Sequence, residues 1–225
     1  MLNASRPESR MAGGARRDTI PVAVGDREGH FDHLLAMVPS HESVVATGPG
    51  FVTILARPFG ARTTVSIHGN DALVSVGDRD EVLRLDADDG LVAIHRLDRP
   101  RRVISVGELA AQRQRLAEQV SQLPENVGDA VVSAFQGVGM PAIYPAHDRV
   151  VTDERGAIWL REDIGPQRGE REARRWTVLD PDGRWLGFVT TPARFQVQQI
   201  TRDRMIGVWR DGNDVEHLQV YRLDR

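Results

Sequence analysis

The stretch Thr177-Val178-Leu179-Asp180-Pro181-Asp182-Gly183 decides the fold prediction, because its anatomy recurs elsewhere in the chain. A short apolar run leads into an Asp-rich turn closed by glycine, as it does in Val82–Gly90, and Val220–Asp224 repeats the first part of the pattern. Such turns supply the positive φ that a tight hairpin needs, and the flanking alternation of apolar and polar residues is typical of half-buried strands. The sequence therefore predicts repeated antiparallel hairpins of one architecture.

Outward from this stretch, strand patterns separated by short turns fill most of the chain. Thr63–Leu97 reads as a four-stranded meander, Arg149–Thr190 as a second, and Gln196–Leu223 as three strands of a third. A four-stranded antiparallel meander is the size of a propeller blade, and Asp180 and Asp224 lie one blade length apart, about 40 to 45 residues. The predicted fold class is mainly β: a partial β-propeller of about three blades, with an inserted helical segment.

The inserted segment interrupts the strand patterns with helical periodicity. In Gly107–Leu123, apolar residues fall on one face at helical spacing and Arg, Gln and Glu lie opposite, which predicts an amphipathic helix. A second helical stretch, Asn126–Phe135, ends in a glycine-rich run. The domain prediction is a flexible N-terminal segment at 1–17 and blades over 18–225, with the helical insertion at about 101–147. The apolar face of the first helix consists of Leu109, Ala110, Leu116, Val120 and Leu123.

Composition narrows the classes of function. The chain has 225 residues, 40% of them hydrophobic, which is enough for a sizeable core. Its 29 basic residues are interleaved with 32 acidic ones and the net charge is −3, so no nucleic-acid partner is predicted. No stretch approaches the roughly 20 apolar residues of a membrane span, and no signal peptide is recognised at the start. The absence of cysteine leaves the compartment undetermined.

Two hairpin sequences carry a family resemblance. Asp153–Leu160 and Thr177–Gly187 resemble the D-x-x-G-x-(I/L)-W and (V/Y)-D-x-x-G-x-x-(L/I) signatures of NHL-like six-bladed β-propellers. Together with Arg57–Gly60, the helical insert and the ending Val208–Leu223, they resemble the C-terminal half of uncharacterised bacterial six-bladed propeller proteins. Such proteins are usually exported, so the resemblance implies a periplasmic or extracellular location if an upstream leader is missing. About three blades do not close a ring, which leaves two alternatives, a homodimer or a missing N-terminal half.

Several polar clusters are candidates for metal sites. His30, His33 and His41 crowd one predicted loop with Asp32 and Glu42, a set that can hold a transition metal. The acidic run Asp211–Glu216 offers oxygen ligands for calcium but lacks the glycine placement of an EF-hand loop. The favoured interpretation of the histidine cluster is a solvated loop, and that of the acidic run is a hairpin turn. No cofactor is therefore predicted, and calcium is the alternative. Core packing is the favoured role of Trp159, Trp176, Trp185 and Trp209.

The candidate ligand contacts follow from the expected geometry of a propeller. Loops between blades and between second and third strands open on one face, around the channel mouth, and function concentrates on loops that a rigid scaffold carries. The longest and most charged loops are Arg57–Arg62, the helical insert, Glu162–Arg174 and Asp211–Glu216. Solvated loop charges are the alternative interpretation. The predicted contacts are Arg57, Tyr144, His147, Arg161, Asp163, Arg210 and Asp211.

No catalytic signature accompanies these residues. The chain lacks a G-x-S-x-G elbow, a P-loop and a G-x-G-x-x-G fingerprint, so no catalytic residue is predicted. The predicted function is a non-catalytic β-propeller binding or scaffold module for an unknown small molecule or protein. The alternative is a metal-dependent lactonase or lyase of the propeller type, which needs acidic and Asn ligands converging on one channel metal. Stoichiometric bound calcium or zinc would separate the two.

Overall fold

The computed structural model describes residues 14–26, 28–166 and 172–223, which form five antiparallel sheets and two helices. Sheet I has the strand order β1-β4-β5 and sheet II is the hairpin β2-β3; sheet III contains β6 to β9, sheet IV β10 to β13 and sheet V β14 to β16, each in sequence order. The elements are β1 (Gly14–Arg16), β2 (Thr19–Gly25), β3 (Phe31–Pro39), β4 (Ser43–Gly48), β5 (Phe51–Ala56), β6 (Thr64–His68), β7 (Asp71–Ser75), β8 (Glu81–Asp86), β9 (Gly90–Arg96), α1 (Val106–Val120), α2 (Glu125–Val138), β10 (His147–Thr152), β11 (Ile158–Glu162), β12 (Arg174–Leu179), β13 (Trp185–Thr191), β14 (Phe195–Ile200), β15 (Arg204–Arg210) and β16 (Glu216–Arg222).

Sheets II to V pack face to face in chain order, and the core lies between them. In β7, Ala72 and Val74 face Val38 of sheet II, whereas Leu73 between them faces Leu160 of sheet IV. This alternation is the period-2 pattern of a strand buried on both faces. Each interior sheet therefore contributes two apolar surfaces, which explains why the strands of sheets III and IV read as near-continuous apolar runs.

The junction between sheets IV and V is the most aromatic part of the core. Trp159 and Trp176 of sheet IV pack with Phe195, Val197 and Met205 of sheet V, and all five side chains are buried. Burying a large apolar side chain contributes about 1.5–3 kcal/mol, so these residues are a principal source of the attachment of sheet V. The predicted core role of these two tryptophans is confirmed. Trp185, by contrast, is 61% exposed, so its predicted core role is wrong.

Among the described residues, no sheet packs against the far face of sheet V. Val208 pairs with Leu218, and Ile206 pairs with Val220, on the face opposite Met205. Leu218 is 74% exposed. The mainly β prediction is confirmed, but the described strands form an open stack and not a closed ring.

Two helices lie on sheet I, within the predicted insertion at 101–147. The α1 prediction is confirmed, although the helix ends at Val120 and not at Leu123. Ser105 and Glu108 form a capping box at its start. Although burial opposes the shift, hydrogen bonds from Ser105 and Tyr144 and the charge of Arg102 lower the pKa of Glu108 to about 2. α2 packs Val131 and Phe135 on the sheet I face that contains Val44 and Ala46.

The prediction of one loop containing His30, His33 and His41 is wrong over most of its length. Phe31–Pro39 instead forms strand β3, which pairs with β2. Inward-facing Leu35 and Val38 pack on sheet III, and this burial overrides the polar appearance of the segment. The sequence predicts a flexible segment at 1–17, and residues 1–13 of it lie outside the described part of the chain. Residues 14–16 form β1, which pairs with β4.

The Asp-rich segments are hairpin turns, as predicted. The Oδ1 atoms of Asp86 and Asp180 each accept hydrogen bonds from two backbone N–H groups of their own turn. Asp211 does the same at the β15–β16 turn, which supports the turn interpretation over the calcium interpretation for that run. Gly183 has the predicted positive φ of 85°.

Candidate functional site

A cavity of about 370 Å³ lies where sheets IV and V meet the loop between β5 and β6. Its wall contains five arginines and two aspartates, an excess of three positive charges. We call it the arginine cavity. It is lined by Phe59, Gly60, Arg62, Asp148, Arg149, Arg161, Asp163, Gly165, Pro166, Arg174, Arg194, Phe195 and Gln196.

Strand register gathers the charges on the sheet IV side. Arg149 of β10 lies directly opposite Arg161 of β11. Like charges at directly opposed positions destabilise a sheet. Asp148 lies beside this pair and accepts a hydrogen bond from Arg161 Nε at 2.6 Å. The local fold therefore retains a repulsive cross-strand pair and offsets it with only one carboxylate.

Asp148 is fully engaged by two of the arginines. Besides Arg161 it accepts a hydrogen bond from Arg174 Nη2, which also donates to the backbone carbonyl of Glu162 at 2.9 Å. Charge-assisted contacts of this kind hold a guanidinium in one orientation. Arg161 and Arg174 therefore form a fixed part of the wall.

The remaining positive charge belongs mainly to Arg149 and Arg62. Neither guanidinium has a hydrogen bond or ion pair within 14–26, 28–166 and 172–223. Burial lowers the pKa of Arg149, and the neighbouring charge of Arg161 lowers it further. Arg149 is thus a half-buried cation whose nearby carboxylate, Asp148, is already bonded to two other arginines, an unfavourable arrangement that an anion would relieve.

Asp163 lies at the cavity wall in an environment that disfavours its charge. Burial raises its pKa, and the nearby Asp148 carboxylate raises it further. Its Oδ1 accepts a hydrogen bond from Gly165 N–H at 2.6 Å, which orders the loop after β11. This carboxyl therefore compensates the cavity arginines less than an exposed aspartate would.

The backbone at the cavity is strained. Of the three non-glycine residues with positive φ among those described, Phe59 (56°) and Arg194 (61°) both line it. Such conformations cost about 1–3 kcal/mol each, and they cluster at functional sites. Arg194 Nη1 donates to the backbone carbonyl of Asp211 at 2.5 Å, so the β15–β16 turn braces this side chain.

A second arginine-rich cavity, of about 290 Å³, lies at the junction of sheets III and IV. We call it the paired cavity, because each of its four arginines has a carboxylate partner. Arg99 and Arg101 pair with Asp80, Arg102 pairs with Glu108 and Arg175 pairs with Glu162. Each of its cations thus has an ion-pair partner within the fold, whereas Arg62 and Arg149 form no ion pair with the described residues.

The predicted contact residues are divided among several places. Arg161 and Asp163 line the arginine cavity, and Asp211 reaches it through Arg194. Arg57 pairs with Glu42 at 3.1 Å and lines a pocket beside the helices, while Arg210 pairs with Glu216 at 2.7 Å.

Tyr144 and His147 are both buried. Tyr144 donates to Glu108 at 2.7 Å and stacks edge-on against Phe59. Burial and the charges of Arg99 and Arg101 lower the pKa of His147 to about 3, so the ring is neutral.

Sequence reasoning missed Arg62, Arg149, Arg174 and Arg194 as cavity residues. Arg62 and Arg174 end two of the loops that the sequence had singled out, Arg57–Arg62 and Glu162–Arg174, so their positions were a usable signal. Arg149 and Arg194 lie at the ends of strand patterns, and nothing in the sequence marked them as cavity residues. Residues 167–171 of the second loop lie outside the described part of the chain.

Comparison with known proteins adds no candidate ligand: no protein-family model matches the chain, and no curated protein matches its sequence. Within the described ranges, no three His, Asp or Glu side chains are grouped as metal ligands. The helices in those ranges are too short or too polar to cross a membrane. The metal-dependent alternative stays a prediction.

Proposed function

We propose that this protein is a non-catalytic binding module that holds an anionic group in the arginine cavity. The observation that carries the proposal is the pair Arg62 and Arg149, two cations that line one cavity near Asp163 and Asp148 but make no hydrogen bond or ion pair with the described residues. An anion entering the cavity gains charge-assisted hydrogen bonds and relieves the repulsion between Arg149 and Arg161. The strained backbone at Phe59 and Arg194 fits a wall shaped for a ligand.

Arginine suits carboxylate and phosphate groups in particular. Its planar guanidinium presents donors in a fixed fork that matches two oxygens of such a group, and it loses less hydration than an ammonium. Asp148 fixes Arg161 and Arg174 on one wall, while Arg149 and Arg62 keep their donors available. The cavity is therefore pre-organised on one side and adaptable on the other.

The experiment is titration calorimetry of the purified chain with inorganic phosphate and with acetate. Arg149→Gln should weaken anion binding by about 10-fold to 100-fold, the loss expected for a hydrogen bond to a charged group. Arg79→Gln is the matched control, because Arg79 is exposed and lies outside the cavity. Affinity should fall as salt increases. Failure of the unmodified chain to bind either anion, or equal affinity in both variants, would overturn the proposal.

We also propose that sheets III, IV and V are blades of a partial, NHL-like propeller whose open end is covered by a second copy of this chain. The face of sheet IV that contains Trp159 is covered by sheet V, whereas the corresponding face of sheet V leaves Leu218 and Val220 exposed. At the other end of the stack, Phe31 and Met37 of sheet II are also exposed. A head-to-tail copy would bury both apolar faces.

Light scattering coupled to size exclusion tests this assembly. The unmodified chain should elute as a dimer, and Leu218→Lys combined with Val220→Lys should convert it to a folded monomer. Gln122→Lys, an exposed change just after helix α1 and outside sheets II and V, should leave the dimer intact. A monomeric unmodified chain would overturn the second-copy proposal.

A further inference from the structure

An apolar pocket of about 310 Å³ adjoins the arginine cavity. It lies between helix α1, helix α2 and the end of strand β5, and we call it the helix pocket. The two spaces share three wall residues, Phe59, Arg62 and Pro166. The two spaces are therefore neighbours, separated by these three residues.

The wall of the helix pocket is mostly hydrocarbon. Leu55 of β5, Leu116 and Val120 of α1, and Val131 and Phe135 of α2 all line it. These side chains also form the contact between the helices and sheet I, so the pocket is a gap left in that contact. An apolar gap of this size favours an apolar occupant over water.

One polar side chain in this wall lacks a hydrogen-bond partner for one of its atoms. Gln112 of α1 is 8% exposed, and its Oε1 accepts no hydrogen bond from the described residues. A buried acceptor without a donor is rare in folded proteins. The helix pocket is therefore not a completed piece of core.

The boundary between the two spaces has one rigid and one adaptable element. Phe59 is buried and held by its edge-on contact with Tyr144, with ring centroids 5.4 Å apart. Gly165 lies so close that a Cβ there would come within 2.8 Å of both rings. Arg62 is exposed and without a partner in the described chain, so its long side chain is able to lie over either opening.

We propose that the ligand is an alkyl anion, with its carboxylate or phosphate group in the arginine cavity and its hydrocarbon chain in the helix pocket. This inference rests on the proposed anion-binding function and adds the class of ligand. The charged end is recognised by Arg149 and the fixed pair Arg161 and Arg174. The apolar end is recognised by burial alone, so it selects for chain length and not for sequence or functional groups.

Calorimetric titration with acetate, butanoate, hexanoate and octanoate at constant ionic strength tests whether the pocket binds the hydrocarbon chain of the ligand. Affinity should rise about fourfold for each methylene buried, until the pocket is filled. Octyl phosphate, compared with octanoate, distinguishes a phosphate ligand from a carboxylate ligand. Octylammonium has the same chain with the opposite charge and should bind at least tenfold more weakly than octanoate.

Two tryptophan variants separate the pocket from the general apolar surface. Gln119→Trp places a large ring at the helix pocket from an exposed position of α1, and it should abolish the gain with chain length while acetate binding stays unchanged. Gln114→Trp, on the same helix but outside the pocket, is the matched control and should keep the gain.

The outcomes distinguish the two proposals. If no anion binds at all, the proposed function itself fails. If acetate and octanoate bind equally, or octylammonium binds as well as octanoate, anion binding stands and the alkyl-anion inference is overturned. A gain with chain length that Gln119→Trp removes and Gln114→Trp retains supports it.

Discussion

The two junctions of sheet IV contain similar numbers of arginines but differ in how many of these arginines form ion pairs. At the junction with sheet III, each arginine of the paired cavity has a carboxylate partner, and Arg99 also donates to the carbonyl of Ala146 at 2.7 Å. At the junction with sheet V, Arg62 and Arg149 have no partner among the described residues. Arginine therefore joins the sheets at one junction, whereas at the other junction it has donors available for a ligand.

This difference separates stability from function by a physical criterion. Arginine whose donors are satisfied inside the fold contributes to the folded state and has little left for a ligand. Arginine whose charge is half-buried and unsatisfied contributes little to stability, but becomes favourable when an anion arrives. Substitutions at the two junctions should accordingly change different quantities.

Arg99→Gln should have the largest effect on stability. It removes one of the two arginine partners of Asp80, the contact with Glu162 and the bond to Ala146, so we expect a loss of about 2–3 kcal/mol in the free energy of unfolding. Urea denaturation measures it. Arg96→Gln, an exposed change beside the same junction, should cost less than about 0.5 kcal/mol. Equal losses in both variants would contradict the proposed role of the paired cavity.

Gly183→Val should destabilise by about 1–3 kcal/mol, because it disturbs close packing at the same junction. Gly183 has positive φ, and a Cβ there would meet His95 Nδ1 of sheet III at 2.1 Å. Gly90 also has positive φ, but a Cβ there would meet nothing within 4 Å. Thermal melts of Gly183→Val and Gly90→Val therefore separate packing from backbone strain. A larger loss at Gly90 would refute the close contact.

Stability should also decrease in acid because of His147, which lies at the junction of sheets III and IV. Its pKa is about 3 in the folded chain, below the ordinary value of 6.5, so the unfolded chain takes up the proton first as pH falls. The free energy of unfolding should fall from about pH 6.5 downward, by about 1 kcal/mol per pH unit. Burial lowers the pKa of His95 and adds to the same trend.

Urea denaturation at pH 7, 6 and 5 measures this slope, and His147→Leu should flatten it. A second measurement does not depend on the variant folding: the ring resonances of His147 should show no protonation at pH 5. Protonation near pH 6.5 would contradict the neutral, buried imidazole.

Arg149→Gln should have the smallest effect on stability, less than about 0.5 kcal/mol in the absence of ligand. Its guanidinium makes no ion pair within the described chain, and its removal ends the repulsion with Arg161. The same variant should lose most anion affinity. A loss of stability comparable to that of Arg99→Gln would mean that Arg149 is structural, and the contrast between the junctions would fail.

Local pattern was sufficient to predict most strands and both helices. The period-2 runs around Asp86 and Asp180 and the helical spacing of Leu109 and Leu116 each depend on neighbouring residues alone. Strand β3 escaped prediction because Phe31–Pro39 mixes histidine and aspartate with apolar residues, and only burial against sheet III selects its pairing with β2. Of the predicted contacts, Arg161 and Asp163 reach the cavity, whereas Tyr144 and His147 are buried.

The sequence by itself determined the hairpin turns, because an aspartate that caps its own turn and a glycine with positive φ need no distant partner. Only the tertiary structure decided which arginines are paired, since Asp80 meets Arg99 and Asp148 meets Arg174 through strand pairing and loop closure. Charge satisfaction is a property of three-dimensional neighbours, so Arg149 becomes distinct from Arg99 only after the sheets have packed.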